Sequence, residues 1–206
     1  MYAKAASVLE AAFAITTCLY SKGVFMYQEL LEYNHQFVQG KGYMPYRTTK
    51  FPDRKLAILT CMDTRLTLLL PAALGLRNGE VKMVKNAGGV VSSPYDTSVR
   101  SLLIAVLELG VEEIMVIGHT DCGVCGMQPK KLLEDLVERG IPESVLRQVG
   151  EDHVDLLEWL SGFACVEQAV TNSVRILREH PLMPKHVEIH GFIMDTETGK
   201  LNPVGE

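Results

Sequence analysis

The fold class predicted for this chain is α/β, built on a mainly parallel sheet with helices on its faces. Three observations predict it. Short apolar runs of strand length alternate with amphipathic stretches of helix length. The runs are bounded by glycine, proline and polar residues. Three of them also end in polar or glycine-rich residues, as strands do when their carboxyl ends open on a ligand site.

The elements follow in order. Met26 to about Val38, MYQELLEYNHQFV, spaces Tyr27, Leu30, Leu31, Tyr33 and Phe37 as a helix would. Gly40 to Asp53 holds glycine, proline and basic residues and reads as a loop. Lys55–Thr60, ending at Cys61, reads as a buried parallel strand. Thr67–Leu76 reads as a helix with Pro71 near its start or kinking it. Val81–Val84 is a second strand running into Asn86-Ala87-Gly88-Gly89. Thr97–Leu109 is a helix stopped by Gly110. Glu113–Ile117 is a third strand, leading into Gly118-His119. Gln128–Gln148 is helical with a break at Gly140-Ile-Pro142. Leu156–Phe163 and Cys165–His180 are two further helical segments. Val187–Met194 and Lys200–Val204 form a hairpin closed by Asp195–Gly199.

The chain has 206 residues, enough for one sizeable core without staples. Its net charge is −5, and no basic run or basic-aromatic stripe suggests a nucleic-acid partner. No apolar run approaches the roughly 20 residues of a membrane span. Five cysteines, odd in number and scattered, do not form the pattern of a small secreted disulfide scaffold. A cytoplasmic protein using some cysteines for metal or catalysis is expected. Residues 1–25 weakly resemble a signal peptide, but Glu10 cuts the apolar run. They are taken as an N-terminal extension of doubtful authenticity, and 26–206 as a single domain.

Parallel strands place their carboxyl ends on one edge of the sheet. Cys61-Met-Asp63-Thr-Arg65, Asn86-Ala87-Gly88-Gly89 and His119-Thr-Asp121-Cys122-Gly123 therefore meet there, although they are distant in the chain. Two thiolates and an imidazole are good zinc ligands. Three protein ligands leave one tetrahedral position open, as in a catalytic site. Asp63 could accept a hydrogen bond beside the metal or take the open position itself, and Arg65 could hold it off the metal. Each residue alone also has an ordinary reading: Cys61 as a small core residue, Asp63 as a cap, His119 as a strand-end histidine. Their combination carries the weight. Asp121 reads as a turn-stabilising carboxylate or a group that orients a ligand. His153, His180, His186 and His190 lack matching spacing and are read as structural or exposed. Cys122-Gly-Val-Cys125 also matches a thiol oxidoreductase motif, but Cys122 has a better use as a ligand.

The motifs C-x-D-x-R and H-x-x-C, in this order and with Lys85-Asn-Ala-Gly88 between them, resemble those of the β-class carbonic anhydrases, most strongly their compact prokaryotic branch. The resemblance runs from Met26 to Val204. It implies a β-carbonic-anhydrase-like fold, with four parallel strands, one antiparallel strand and an N-terminal helical arm. It implies zinc on Cys61, His119 and Cys122, with Asp63 and Arg65 as catalytic dyad, Asp63 becoming a fourth ligand in a closed state. Asn86, Ala87, Gly88 and Gly123 would wall the pocket. The implied reaction is reversible hydration of carbon dioxide to bicarbonate and a proton by zinc-bound hydroxide. The implied assembly is a homodimer or higher homo-oligomer, with the arm on the neighbour. Relatives with this motif hydrolyse carbonyl sulfide or carbon disulfide, and a non-catalytic zinc-binding relative is a further alternative. Cys125 is not required by the family pattern.

Overall fold

The computed structural model describes residues 26–205. The expectation about residues 1–25 falls outside them. The chain divides into two compact units between Thr48 and Thr49.

In the first unit, α1 spans Met26–Gln39, as its periodicity predicts. A turn through Gly40–Gly42 follows, then a single 3-10 turn at Met44–Tyr46. The Phe37 ring meets Tyr46 at a 6.2 Å centroid distance.

The second unit carries the sheet. Its elements are β1 (Leu56–Cys61), α2 (Leu66–Ala73), β2 (Val81–Asn86), α3 (Thr97–Leu109) and β3 (Glu113–His119). They continue with α4 (Pro129–Glu138), α5 (Glu143–Asp152), α6 (Leu156–Trp159), α7 (Val166–Glu179), β4 (Glu188–Met194) and β5 (Leu201–Pro203). The strand order is β2-β1-β3-β4-β5. β1 to β4 are parallel, and β5 closes the sheet antiparallel to β4. The expected five-stranded, mainly parallel sheet is thus present.

Period-two alternation divides the core into two layers. Ala57, Leu59, Ile114, Val116 and Ile189 face the side covered by α3 and α7, where Leu102, Val170 and Leu177 are buried. Ile58, Ile117 and Met194 face Leu66 and Leu70 of α2, and Cys61 and Cys122 belong to this second layer. The helix over Thr97–Leu109 begins and ends where its sequence says it should. Asp96 caps α3 by accepting from Val99 N–H, and Gly110 follows it in the left-handed conformation.

Two expectations need correction. β2 and β3 run on to Asn86 and His119, so these two residues are the last of their strands rather than loop residues. The helix expected over Leu156–Phe163 stops at Trp159. Residues 160–165 instead run irregularly, and Phe163 pairs as an isolated parallel bridge with Cys125. A backbone partner outside the helix outcompeted local helical periodicity there.

The strand order reverses direction at β1, which has β2 on one side and β3 on the other. In open α/β sheets this is where a crevice opens beyond the carboxyl ends of the strands. Cys61 ends β1 and His119 ends β3.

Candidate active site

Cys61, His119 and Cys122 come together, all buried, with one ligating atom from each lying within 4.8 Å of the others. The two sulfurs are 4.0 Å apart. That approaches the roughly 3.8 Å edge of a tetrahedron with zinc–sulfur bonds of about 2.3 Å. The strand ends are tied together by Thr60, whose hydroxyl donates to the Ile117 carbonyl across the β1–β3 pair at 2.8 Å.

His119 shows that these residues fit a metal. Its Nδ1 lies 2.9 Å from the Thr120 carbonyl, which can only accept, so Nδ1 carries the proton. Nε2 is then a bare lone pair, fully buried and without a hydrogen-bond partner. An unpaired buried acceptor is costly, and a cation among two thiols would satisfy it. Burial pushes the Cys122 thiol above its ordinary range, and the neighbouring Cys61 thiol adds to this. A bound cation reverses that preference, because thiolate is the form that ligates.

Asp63 stands beside the cluster, with Oδ2 3.9 Å from His119 Nε2. Arg65 grips it as a fork: Nε donates to Oδ1 at 3.0 Å, Nη2 to Oδ2 at 2.8 Å, and the Arg65 backbone N–H to Oδ1 at 2.9 Å. The side-chain bonds from Arg65 dominate in lowering the Asp63 carboxyl from 3.8 to about 2. Asp63 also raises the Arg65 guanidinium above its ordinary value, with Asp121 adding to the effect.

The second contact of Arg65 was not legible from motif spacing. Nη1 donates to Asp121 Oδ2 at 3.0 Å and Nη2 to the Asp121 carbonyl at 2.8 Å. Asp121 presents both acceptors from a left-handed backbone, φ 53°. It thus joins the His119–Cys122 turn to the Asp63–Arg65 pair.

The expected pocket residues divide by role. The Asn86 side chain braces its own loop, donating to the Val90 carbonyl and Ser98 Oγ and accepting from Val90 N–H. Gly89, at φ 66°, lies against the Cys61 backbone, where a Cβ would fall 2.5 Å from Cys61 N. Gly88, at φ 88°, lies under the Phe163 ring. Ala87 lines a cavity of about 760 Å³. Gly123 is exposed, with no neighbouring atom where a Cβ would stand. Cys125 is exposed and its thiol donates to the Ala164 carbonyl at 3.5 Å, outside the three-ligand group. His180 is buried, accepts from Leu182 N–H and meets the Tyr95 ring edge-on. His190 lies 4.0 Å from Glu113 at the opposite end of the sheet's β3–β4 pair.

A family model described as carbonic anhydrase matches residues 56–201. A Bacillus subtilis protein named "Putative carbonic anhydrase YvdA" is 50% identical over 175 residues, covering 85% of this chain and 89% of that protein. The carbon disulfide hydrolase of Acidithiobacillus thiooxidans is 34% identical over 160 residues, covering 73% of this chain and 77% of that protein. The crystal structure of β-carbonic anhydrase isoform I from Trichomonas vaginalis superposes with a TM-score of 0.80 at 32% identity. It covers 88% of this chain and 98% of that one. The chain belongs to the β-carbonic anhydrase family.

Proposed function

We propose that this protein catalyses the zinc-dependent, reversible hydration of carbon dioxide to bicarbonate and a proton. The observation that carries this is the buried Cys61–His119–Cys122 group, with an orphaned imidazole nitrogen, beside the Arg65-held carboxylate of Asp63. Cys61, His119 and Cys122 would hold the zinc. When bound, zinc supplies Lewis acidity, which brings the pKa of a coordinated water towards neutrality.

The remaining roles fall to the chain's own residues. Asp63 is the hydrogen-bond acceptor that orients the nucleophilic water. With its carboxyl at about 2, it stays ionised at working pH and does not store the released proton. That proton passes to solvent or buffer. Arg65 engages both Asp63 oxygens, which favours the open arrangement over one with Asp63 as a fourth ligand. Ala87, Gly88 and Gly123 supply close-lying backbone around the substrate, and Asn86 keeps that loop in place.

The assembly proposed is a homodimer or higher homo-oligomer, with α1 as the arm laid on a neighbouring copy. The compartment proposed is cytoplasmic; among the described residues no helix is long and apolar enough to cross a membrane. A second reading, hydrolysis of carbonyl sulfide or carbon disulfide, is favoured by the 34% identity to a carbon disulfide hydrolase.

Stopped-flow measurement on zinc-loaded protein tests the proposal. Carbon dioxide hydration far above the buffer rate is expected, and no acceleration at full zinc occupancy would sink it. Sulfide release from carbon disulfide, without carbon dioxide hydration, would select the second reading.

A further inference from the structure

His119 ends β3, and its ring is held by the bond from Nδ1 to the Thr120 carbonyl at 2.9 Å, which leaves Nε2 as the nitrogen free to ligate. The direction of that carbonyl is therefore part of the ligand geometry. Thr120 is fastened at two further points. Its N–H donates to the Met194 carbonyl at 3.0 Å, one step past the His119–Met194 pair of the β3–β4 register. Its hydroxyl oxygen accepts from Thr196 N–H at 3.1 Å and lies 3.1 Å from Thr196 Oγ1, so the two hydroxyls also share a hydrogen bond. The β4–β5 turn that carries Thr196 is itself braced. Asp195 Oδ1 accepts from Glu197 N–H, Thr198 N–H and Thr198 Oγ1, and Asp195 N–H donates to the Lys200 carbonyl at 2.9 Å. Gly199, at φ 72°, packs on α2, where a Cβ would fall 3.0 Å from Ala73 Cβ and 3.3 Å from Leu69 Cδ1. On the other side of Thr120, the Asp121 carbonyl is held by Arg65. The ligand motif shows none of this, because Thr196 lies 76 positions from Thr120.

We propose that Thr196 is a positioning residue for His119: it holds the Thr120 hydroxyl, and through that residue the carbonyl that accepts from His119 Nδ1 and aims the imidazole at the two thiols. The proposal rests on the zinc-site reading above. With its N–H and its hydroxyl both tied to β4 and the turn after it, Thr120 cannot swing its carbonyl away from the ring without breaking a bond. An imidazole held in this way is ordered before the ion arrives, so less ordering entropy opposes binding. Groups that hold a ligand histidine are typically worth roughly 10- to 100-fold in metal affinity. Thr196 acts one residue further out, and Thr120 is exposed to competing water, so the lower end is expected. A threonine pair that merely stapled the turn would add stability and leave the metal untouched.

The test compares Thr120→Val, Thr196→Val and Thr196→Ser with wild type, all as the full chain. Zinc affinity is read by competition with a chelator of known strength, and ligand geometry by the ligand-field spectrum of cobalt-loaded protein. Thr120→Val removes the oxygen that takes both bonds from Thr196, and zinc should bind about tenfold more weakly. Thr196→Val keeps its N–H bond and loses only the hydroxyl pair, so about threefold is expected. The cobalt spectrum should shift in the same order. Thr196→Ser restores the hydroxyl and should return both readouts to wild type. Zinc affinity and a cobalt spectrum unchanged in the valine variants, with only the urea midpoint lowered, overturn the proposal. The two valines replace different residues and keep the threonine shape, so if one variant fails to fold the other decides. A wild type that binds zinc but hydrates no carbon dioxide defeats the hydratase reading, while the affinity series still decides the role of Thr196. A wild type that binds no zinc defeats the metal-site reading and this proposal with it.

Discussion

Arg65 touches Asp121 twice, through the side-chain carboxylate at 3.0 Å and the main-chain carbonyl at 2.8 Å. One guanidinium therefore joins the carboxylate beside the candidate metal group to the turn carrying two of its ligands. Removing Arg65 should matter more than removing the Asp121 side chain, which is largely exposed and is paired where water screens the charge. Arg65→Met is expected to lower kcat/KM by on the order of 10²-fold, the lower end for a misplaced proton-handling group. Asp121→Gly should cost only several-fold, because glycine keeps the left-handed backbone. Asp121→Ala should add a backbone penalty of about 1 kcal/mol. Steady-state kinetics and urea melts on the three variants check this ordering.

The ligand set gives a metal-stoichiometry prediction. Wild-type protein should hold one zinc per chain, while Cys61→Ser, His119→Ala and Cys122→Ser should each lose most of it after mild chelation. Cys125→Ser should keep its zinc and hydrate carbon dioxide within about twofold of wild type, because Cys125 stands outside the three-ligand group. Atomic absorption after dialysis distinguishes these outcomes. Loss of zinc from Cys125→Ser would return the C-x-x-C pair to consideration.

Gly89 is predicted to tolerate no side chain. An alanine Cβ would meet the Cys61 nitrogen at 2.5 Å and the Thr60 carbonyl carbon at 2.7 Å, at φ 66°. All those partners are backbone and cannot swing away. Gly89→Ala should lose roughly 2–4 kcal/mol of stability from overpacking and the left-handed penalty together. Zinc retention should fall with it, because the displaced atoms belong to a ligand residue. Gly123→Ala, with open space at the Cβ, should be mild by comparison.

The β4–β5 turn supplies an acid-stability prediction. Asp195 Oδ1 accepts from Thr198 Oγ1, Thr198 N–H and Glu197 N–H, and these bonds, Thr198 foremost, lower its carboxyl below 3.8. A lowered folded pKa gives stability that is complete above the unfolded pKa and lost as pH falls through the folded one. Wild type should therefore melt above Asp195→Ala at pH 7. The gap should narrow once pH drops below about 4. Thermal melts from pH 7 to pH 2 check the sign; a gap that widens in acid would contradict it.

Much of the site was legible before any coordinates. Cys61 and His119 follow apolar runs of strand length, and parallel strands bring their carboxyl ends to one edge. Asp63 and Arg65 lie close in sequence, so their fork is a local event. The bridge between Phe163 and Cys125 was not legible, because residues 156–163 read as helical and no motif connects the two. By its sequence, Asp121 is a turn-stabilising carboxylate or a group that orients a ligand. Its pairing with Arg65 depends on a positive φ that spacing does not encode. Asn86, expected at the pocket, spends its amide on Val90 and Ser98, partners visible only once the loop is folded.

The β1–β3 pairing has a consequence for the order of events after synthesis. Two of the three donors, Cys61 and Cys122, are 61 positions apart, and they meet only once β1 and β3 lie side by side. Such long-range pairings close late, after the loop-closure entropy has been met. A chain still being threaded from the ribosome has Cys61 ready well before its partners. High-affinity capture of an ion by this group would therefore wait for an assembled sheet, and metal uptake would report completed folding rather than guide it.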